Sequence, residues 1–142
     1  MTPRAHRLRI PSRTSCLARV RRHVAGWADE AGLPAADAFA LQLAVDEVCA
    51  NTIEHAYGGR ADGRMEVEAT VKPDCLVVSV RHQGKPYDPK TSPAPPLAHV
   101  VAERRLHGYG LHLIQRLVDE VRFRTHNGSS EVVLTKRRAK RG

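Results

Sequence analysis

Polar and apolar side chains alternate from His6 to Ile10 before Pro11-Ser12, a pattern that predicts a short edge strand ending in a turn. From Thr14 the apolar positions Leu17, Val20, Val24 and Trp27 recur at helical spacing with arginines between them, and Gly32 follows, so a first helix is expected there. Pro34 suits an N-terminal helical position. The segment from Ala35 to about Tyr57 contains no Gly or Pro before Gly58-Gly59, which predicts a second and longer helix. Met65, Val67, Ala69 and Val71 then alternate with Glu66, Glu68, Thr70 and Lys72, the period of two of a strand with one buried face. Pro73-Asp74 supplies a turn, and Leu76 to Val80 reads as the returning strand.

Regularity stops between Gln83 and His107, where Pro86, Pro89, Pro93, Pro95 and Pro96 fall. A loop of this length in a compact domain is usually functional or disordered. Gly108 and Gly110 precede a helix with Leu111, Ile114, Leu117 and Val118 on its apolar face. Val121 to Thr125 and Glu131 to Lys136 close the chain as two strands joined through Asn127-Gly128, a strong hairpin signal. Strand, helix, long helix, hairpin, loop, helix, hairpin is not a βαβα alternation. It predicts an α+β fold, a two-layer sandwich of a mixed or antiparallel sheet with helices on one face.

With 142 residues the chain is expected to form a single domain, 1–142, with a core over about 6–137 and a basic tail at 136–142. The formal net charge of +8 invites a nucleic-acid reading. Lys136, Arg137, Arg138, Lys140 and Arg141 carry five of those charges, however, and aromatic residues make up only 4% of the chain. A solvated tail is the better account, so a nucleic-acid partner is not expected. No stretch approaches the roughly 18 apolar residues of a membrane span, and the Arg-rich start lacks a signal-peptide centre; neither a membrane association nor export is expected, and a cytoplasmic location is. Cys16, Cys49 and Cys75 are too scattered for a disulfide framework or zinc site and are expected to be buried or incidental.

Two features could carry chemistry. Glu47 and Asn51, four residues apart on the second helix, place a carboxylate and a carboxamide on one face. Such a carboxylate can deprotonate a nucleophile and the amide oxygen can ligate Mg²⁺, although the same spacing also suits an ordinary solvated face. Gly108-Tyr109-Gly110-Leu111 stands directly before a helix, where glycines let backbone amides approach a phosphate; an ordinary loop-to-helix turn has the same pattern.

The run Leu41-Gln-Leu-Ala-Val-Asp-Glu-Val-Cys-Ala-Asn-Thr-Ile-Glu-His-Ala-Tyr57 resembles the N box of the GHKL (histidine-kinase-like) ATPases, especially their anti-sigma-factor serine kinases. Residues 80–89 are similar to the first glycine box, residues 108–121 to the second, and Gly128 to Lys136 to the closing strand. The resemblance implies a Bergerat-type ATP-binding fold and a regulator that holds a sigma factor and phosphorylates a serine on an antagonist protein, with ATP and Mg²⁺ as cofactors. It also suggests a homodimer.

Carried over by position, the resemblance makes Glu47 the general base and Asn51 the Mg²⁺ ligand. Gly84, Gly108, Gly110 and the amides from Leu111 contact the nucleotide, and Ser130 stands where the family usually has a threonine near adenine. His82 departs from the pattern, because the family normally has an aspartate there that accepts from the adenine amine. Neutral imidazole retains one acceptor, but the charged one is gone. Loss of a charge-assisted hydrogen bond costs about 1.5–3 kcal/mol, or roughly ten- to a hundredfold in affinity. A module that switches between protein partners through a degenerate nucleotide site is therefore the alternative to a kinase.

Overall fold

The computed structural model describes residues 3–83 and 111–138. Strand β1 (Arg4–Pro11) leads through a 3-10 turn at Thr14–Cys16 into helix α1 (Leu17–Glu30), and α2 (Ala35–Asn51) follows. A π-type turn at Thr52–Ala56 continues α2 before strands β2 (Arg64–Val71) and β3 (Cys75–Gln83). Helix α3 (Leu111–Leu117), β4 (Glu120–His126) and β5 (Ser129–Arg137) complete the order predicted from the polar and apolar pattern.

The five strands among the described residues form one sheet in the order β1-β2-β3-β5-β4. Every neighbouring pair is antiparallel, so of the two sheet types expected the purely antiparallel one is found. Asn127 and Gly128 take φ values of 47° and 80°, the left-handed pair that a two-residue hairpin turn requires, and this sets the β4–β5 register.

Strand alternation divides the sheet into two faces. Met65, Val67, Ala69 and Val71 of β2, Leu76, Val78 and Val80 of β3, and Val132 and Leu134 of β5 are all buried. Helix α1 packs on β2, and α2 packs on β3 and β5 while touching both other helices. Leu41, Ala44, Val45, Val48 and Cys49 are buried around much of α2, which makes it the central helix of a single core cluster. Burial, reinforced by the charge of Asp46, pushes the Cys49 thiol far above its usual range. Because thiolate is the reactive form, iodoacetamide at pH 8 is expected to leave Cys49 unmodified until denaturant is added, whereas the half-buried Cys16 reacts in the native protein. Mass spectrometry of the labelled peptides checks this, and early labelling of Cys49 would contradict the packing.

The opposite face of the sheet is charged. Arg7 pairs with Glu66 at 2.7 Å and Glu68 at 3.1 Å, and Arg81 reaches Glu131 at 3.0 Å. The Glu131 hydrogen bond pushes the Arg81 pKa upward, holding that guanidinium firmly charged. These cross-strand pairs suit a face that carries no helical layer among the described residues.

Candidate functional site

Glu47 and Asn51 lie in the last turns of α2, and both are 3% exposed. The solvated-face reading of their spacing is thereby excluded. Asn51 Nδ2 donates to Glu47 Oε1 at 3.2 Å, so the two side chains act as one unit. With its nitrogen turned to the carboxylate, Asn51 presents Oδ1 on the other side of the amide, as a hard oxygen of the kind Mg²⁺ prefers. No three His, Cys, Asp or Glu side chains converge among the described residues. Among the described residues, Asn51 is the one that would hold a magnesium ion here, with phosphate and water oxygens completing its coordination.

Directly after Asn51 the helix loosens. The Thr52 hydroxyl donates back to the Val48 carbonyl at 2.7 Å, and the Tyr57 amide reaches the Thr52 carbonyl at 3.3 Å, the five-residue spacing of a π turn. The long helix predicted to run to Tyr57 thus ends as an α-helix at Asn51. Gly58 and Gly59, with φ of 59° and 80°, then reverse the chain.

His82 projects from the end of β3 onto the helix-bearing face and is 2% exposed. Its Cα is paired with Ser130 on one side and Met65 on the other. Ser130 is equally buried and is paired in turn with Thr125 of β4, so a row Met65, His82, Ser130, Thr125 crosses the sheet. Tyr57 closes one end. Its ring meets His82 edge-on at a centroid distance of 6.0 Å, its hydroxyl donates to the Arg64 carbonyl at 2.5 Å, and it accepts the Gln83 amide at 3.3 Å. Burial pushes the Tyr57 pKa up, which keeps the phenol a donor.

Gly84, Gly108 and Gly110 lie outside the described residues, as does most of the proline-rich loop, while Leu111 begins α3. Of the expected site, the structure therefore brings Glu47 to Asn51 and His82 to Ser130.

The family model for the histidine kinase-like ATPase domain matches residues 10–136, almost the whole of this α+β sandwich. The chain belongs to that family. It is 32% identical over 134 residues to the serine-protein kinase RsbW of Bacillus velezensis, covering 91% of this chain and 82% of that one. Similarity to serine-protein kinase RsbW of Bacillus subtilis is 30% over 134 residues, with the same coverage. The protein named serine-protein kinase RsbW in Listeria monocytogenes serotype 4a is 32% identical over 133 residues, with 91% and 84% covered. Among solved structures, that of the RsbU and RsbW domains of Rv1364c from Mycobacterium tuberculosis superposes with a TM-score of 0.67 at 20% identity. It covers 94% of this chain and 32% of that longer one, a likeness of fold.

Within the family frame, Tyr57 and Thr125 are the site neighbours that sequence reasoning does not assign. Local pattern gives Tyr57 no more than the packing of a helix end, and its link to His82 and Gln83 depends on a fold-back that such a pattern does not encode. Thr125 becomes visible only once β4 is registered on β5. The side chain of His55, in the same π turn, is 46% exposed.

Proposed function

We propose that this chain is an anti-sigma-factor-like regulator, a serine protein kinase that uses ATP and Mg²⁺ to phosphorylate an antagonist protein and thereby controls its hold on a sigma factor. The buried Glu47–Asn51 pair carries this reading. Glu47 takes the proton from the acceptor serine hydroxyl as the serine oxygen attacks the terminal phosphoryl group and the bond to the departing ADP breaks. Asn51 orients Glu47 and offers Oδ1 to the metal. Mg²⁺, when bound, neutralises phosphate charge. Exclusion of water around the carboxylate, evident in its 3% exposure, strengthens each of these interactions. Ser130 and His82 are the residues that would meet the adenine, and Gly84, Gly108, Gly110 and Leu111 would supply the remaining nucleotide contacts.

His82 supports a second reading, a binding module that exchanges protein partners without catalysis. At the family's aspartate position it brings an imidazole that is 2% exposed to a place suited to a carboxylate. Calorimetric titration with ATP, with and without Mg²⁺, on wild type and His82→Asp separates the two. Under the kinase reading the wild type binds ATP in a Mg²⁺-dependent manner, and His82→Asp gains about ten- to a hundredfold in affinity. Binding seen only in His82→Asp would identify the non-catalytic module.

A further inference from the structure

Tyr57 is held from three directions although it stands in a turn between helix and strand. Its carbonyl accepts the Arg60 amide at 3.0 Å and Arg60 Nε at 3.2 Å. One flank of its ring lies against Gly63, too close for any side chain at that position, and Gly63 is itself tied to Ser12 just after β1. Its hydroxyl spans Arg64 of β2 and Gln83 of β3, the residues one step beyond the last registered pair of those strands, Met65 with His82. One partner is enough to offset the burial of a phenol hydroxyl, and this one has two. Packing of a helix end asks for none of these constraints. What they fix is the side of the ring that meets His82.

The histidine makes that contact matter. A carboxylate only accepts hydrogen bonds, so it selects an exocyclic amine whichever way it turns, whereas a neutral imidazole carries one acceptor and one donor nitrogen. Turned one way, the ring accepts from the amine of adenine. Turned over, it donates to the carbonyl that guanine carries at the same place. The base that His82 selects therefore depends on what keeps its ring from turning over. The imidazole is enclosed at 2% exposure, with Met65 and Ser130 beside it in the sheet and the Tyr57 ring against it at 71°. Methionine is a flexible side chain and serine a small one, so the pinned phenol is the rigid wall of the three.

We propose that Tyr57 is the positioning residue that sets nucleobase specificity in this chain, holding His82 in the one orientation that presents its acceptor nitrogen to adenine and rejects guanine. The inference rests on the nucleotide site proposed above and deepens it. Selection that a carboxylate would perform alone is here divided between two rings, one that meets the base and one that keeps the first from turning.

The test measures displacement of a fluorescent ATP analogue labelled on the ribose, by ATP and by GTP in the presence of Mg²⁺, from the full chain and its variants. The wild type is expected to prefer ATP by about tenfold or more. Tyr57→Phe, which keeps the ring and loses the hydroxyl, should lower that ratio about threefold, and Tyr57→Leu, which removes the wall, about tenfold. In the His82→Asp background the ratio should no longer depend on residue 57, because a carboxylate has no wrong orientation. A merely structural role would lower both affinities alike and leave the ratio in place, as Val24→Ala in the buried core of α1 should do. Tyr57→Phe, with its fold checked by circular dichroism, decides the matter if Tyr57→Leu does not fold. A wild type that binds neither nucleotide would remove the kinase reading and this role with it. Wild-type binding without preference, a preference that survives both Tyr57 variants, or a ratio that falls equally in the His82→Asp background would overturn this inference alone.

Discussion

Glu47→Gln is expected to abolish phosphoryl transfer while leaving the fold and nucleotide binding in place. The substitution keeps the shape of the side chain and keeps an oxygen to accept from Asn51 Nδ2, now 3.2 Å from Glu47 Oε1. What disappears is the ability to take a proton. A positioned general base contributes about 10²- to 10⁴-fold, so transfer from the terminal phosphate of radiolabelled ATP to an antagonist protein should fall at least a hundredfold. ATP affinity measured alongside should be unchanged, which distinguishes lost chemistry from lost binding. Phosphorylation at the wild-type rate would remove Glu47 from the mechanism.

Gly63→Ala should destabilise the fold, and for a steric reason. A Cβ at Gly63 would stand 2.4 Å from the Tyr57 ring and 2.8 Å from Ser12 Oγ. Neither neighbour can retreat. The ring is pinned through its hydroxyl to the Arg64 carbonyl and the Gln83 amide, and Ser12 is tied to Gly63 by paired backbone and side-chain hydrogen bonds of 2.9 Å. Overpacking of this kind costs about 1–3 kcal/mol, which for a domain of this size lowers Tm by about 3–10 °C. Gly26→Ala is the control. Nothing lies within 4 Å of its Cβ, it sits inside α1, and alanine there should stabilise by about 0.5–1 kcal/mol. Because Tyr57 packs on His82, Gly63→Ala should also weaken nucleotide affinity; a Tm within about 1 °C of wild type would show that the ring is free to move.

The elements were legible because their cause is local. Alternation in β2, the helical spacing of Val20, Val24 and Trp27, and the Asn127-Gly128 pair each act within a few residues, and each element predicted from them is present. Strand partners were not legible, because β3 joins β5 across the whole 84–110 segment and nothing near His82 in the chain points to Ser130. The Glu47–Asn51 spacing was visible but its burial was not decided, although the apolar residues around much of α2 hold the cause: a helix apolar on so many sides is enclosed. The π turn escaped because it rests on one hydroxyl, that of Thr52, competing for the Val48 carbonyl.

The β3–β5 junction has a consequence for how the protein comes together. The β2–β3 and β4–β5 hairpins each close over a short turn, but joining them requires two distant parts of the chain to meet, a step with a substantial loop-closure cost. His82 and Ser130 belong to opposite sides of that seam. Their row does not exist until the sheet is whole, so a nucleotide held there, as the proposed function requires, would bind only the completed fold and, by mass action, guard the seam against reopening.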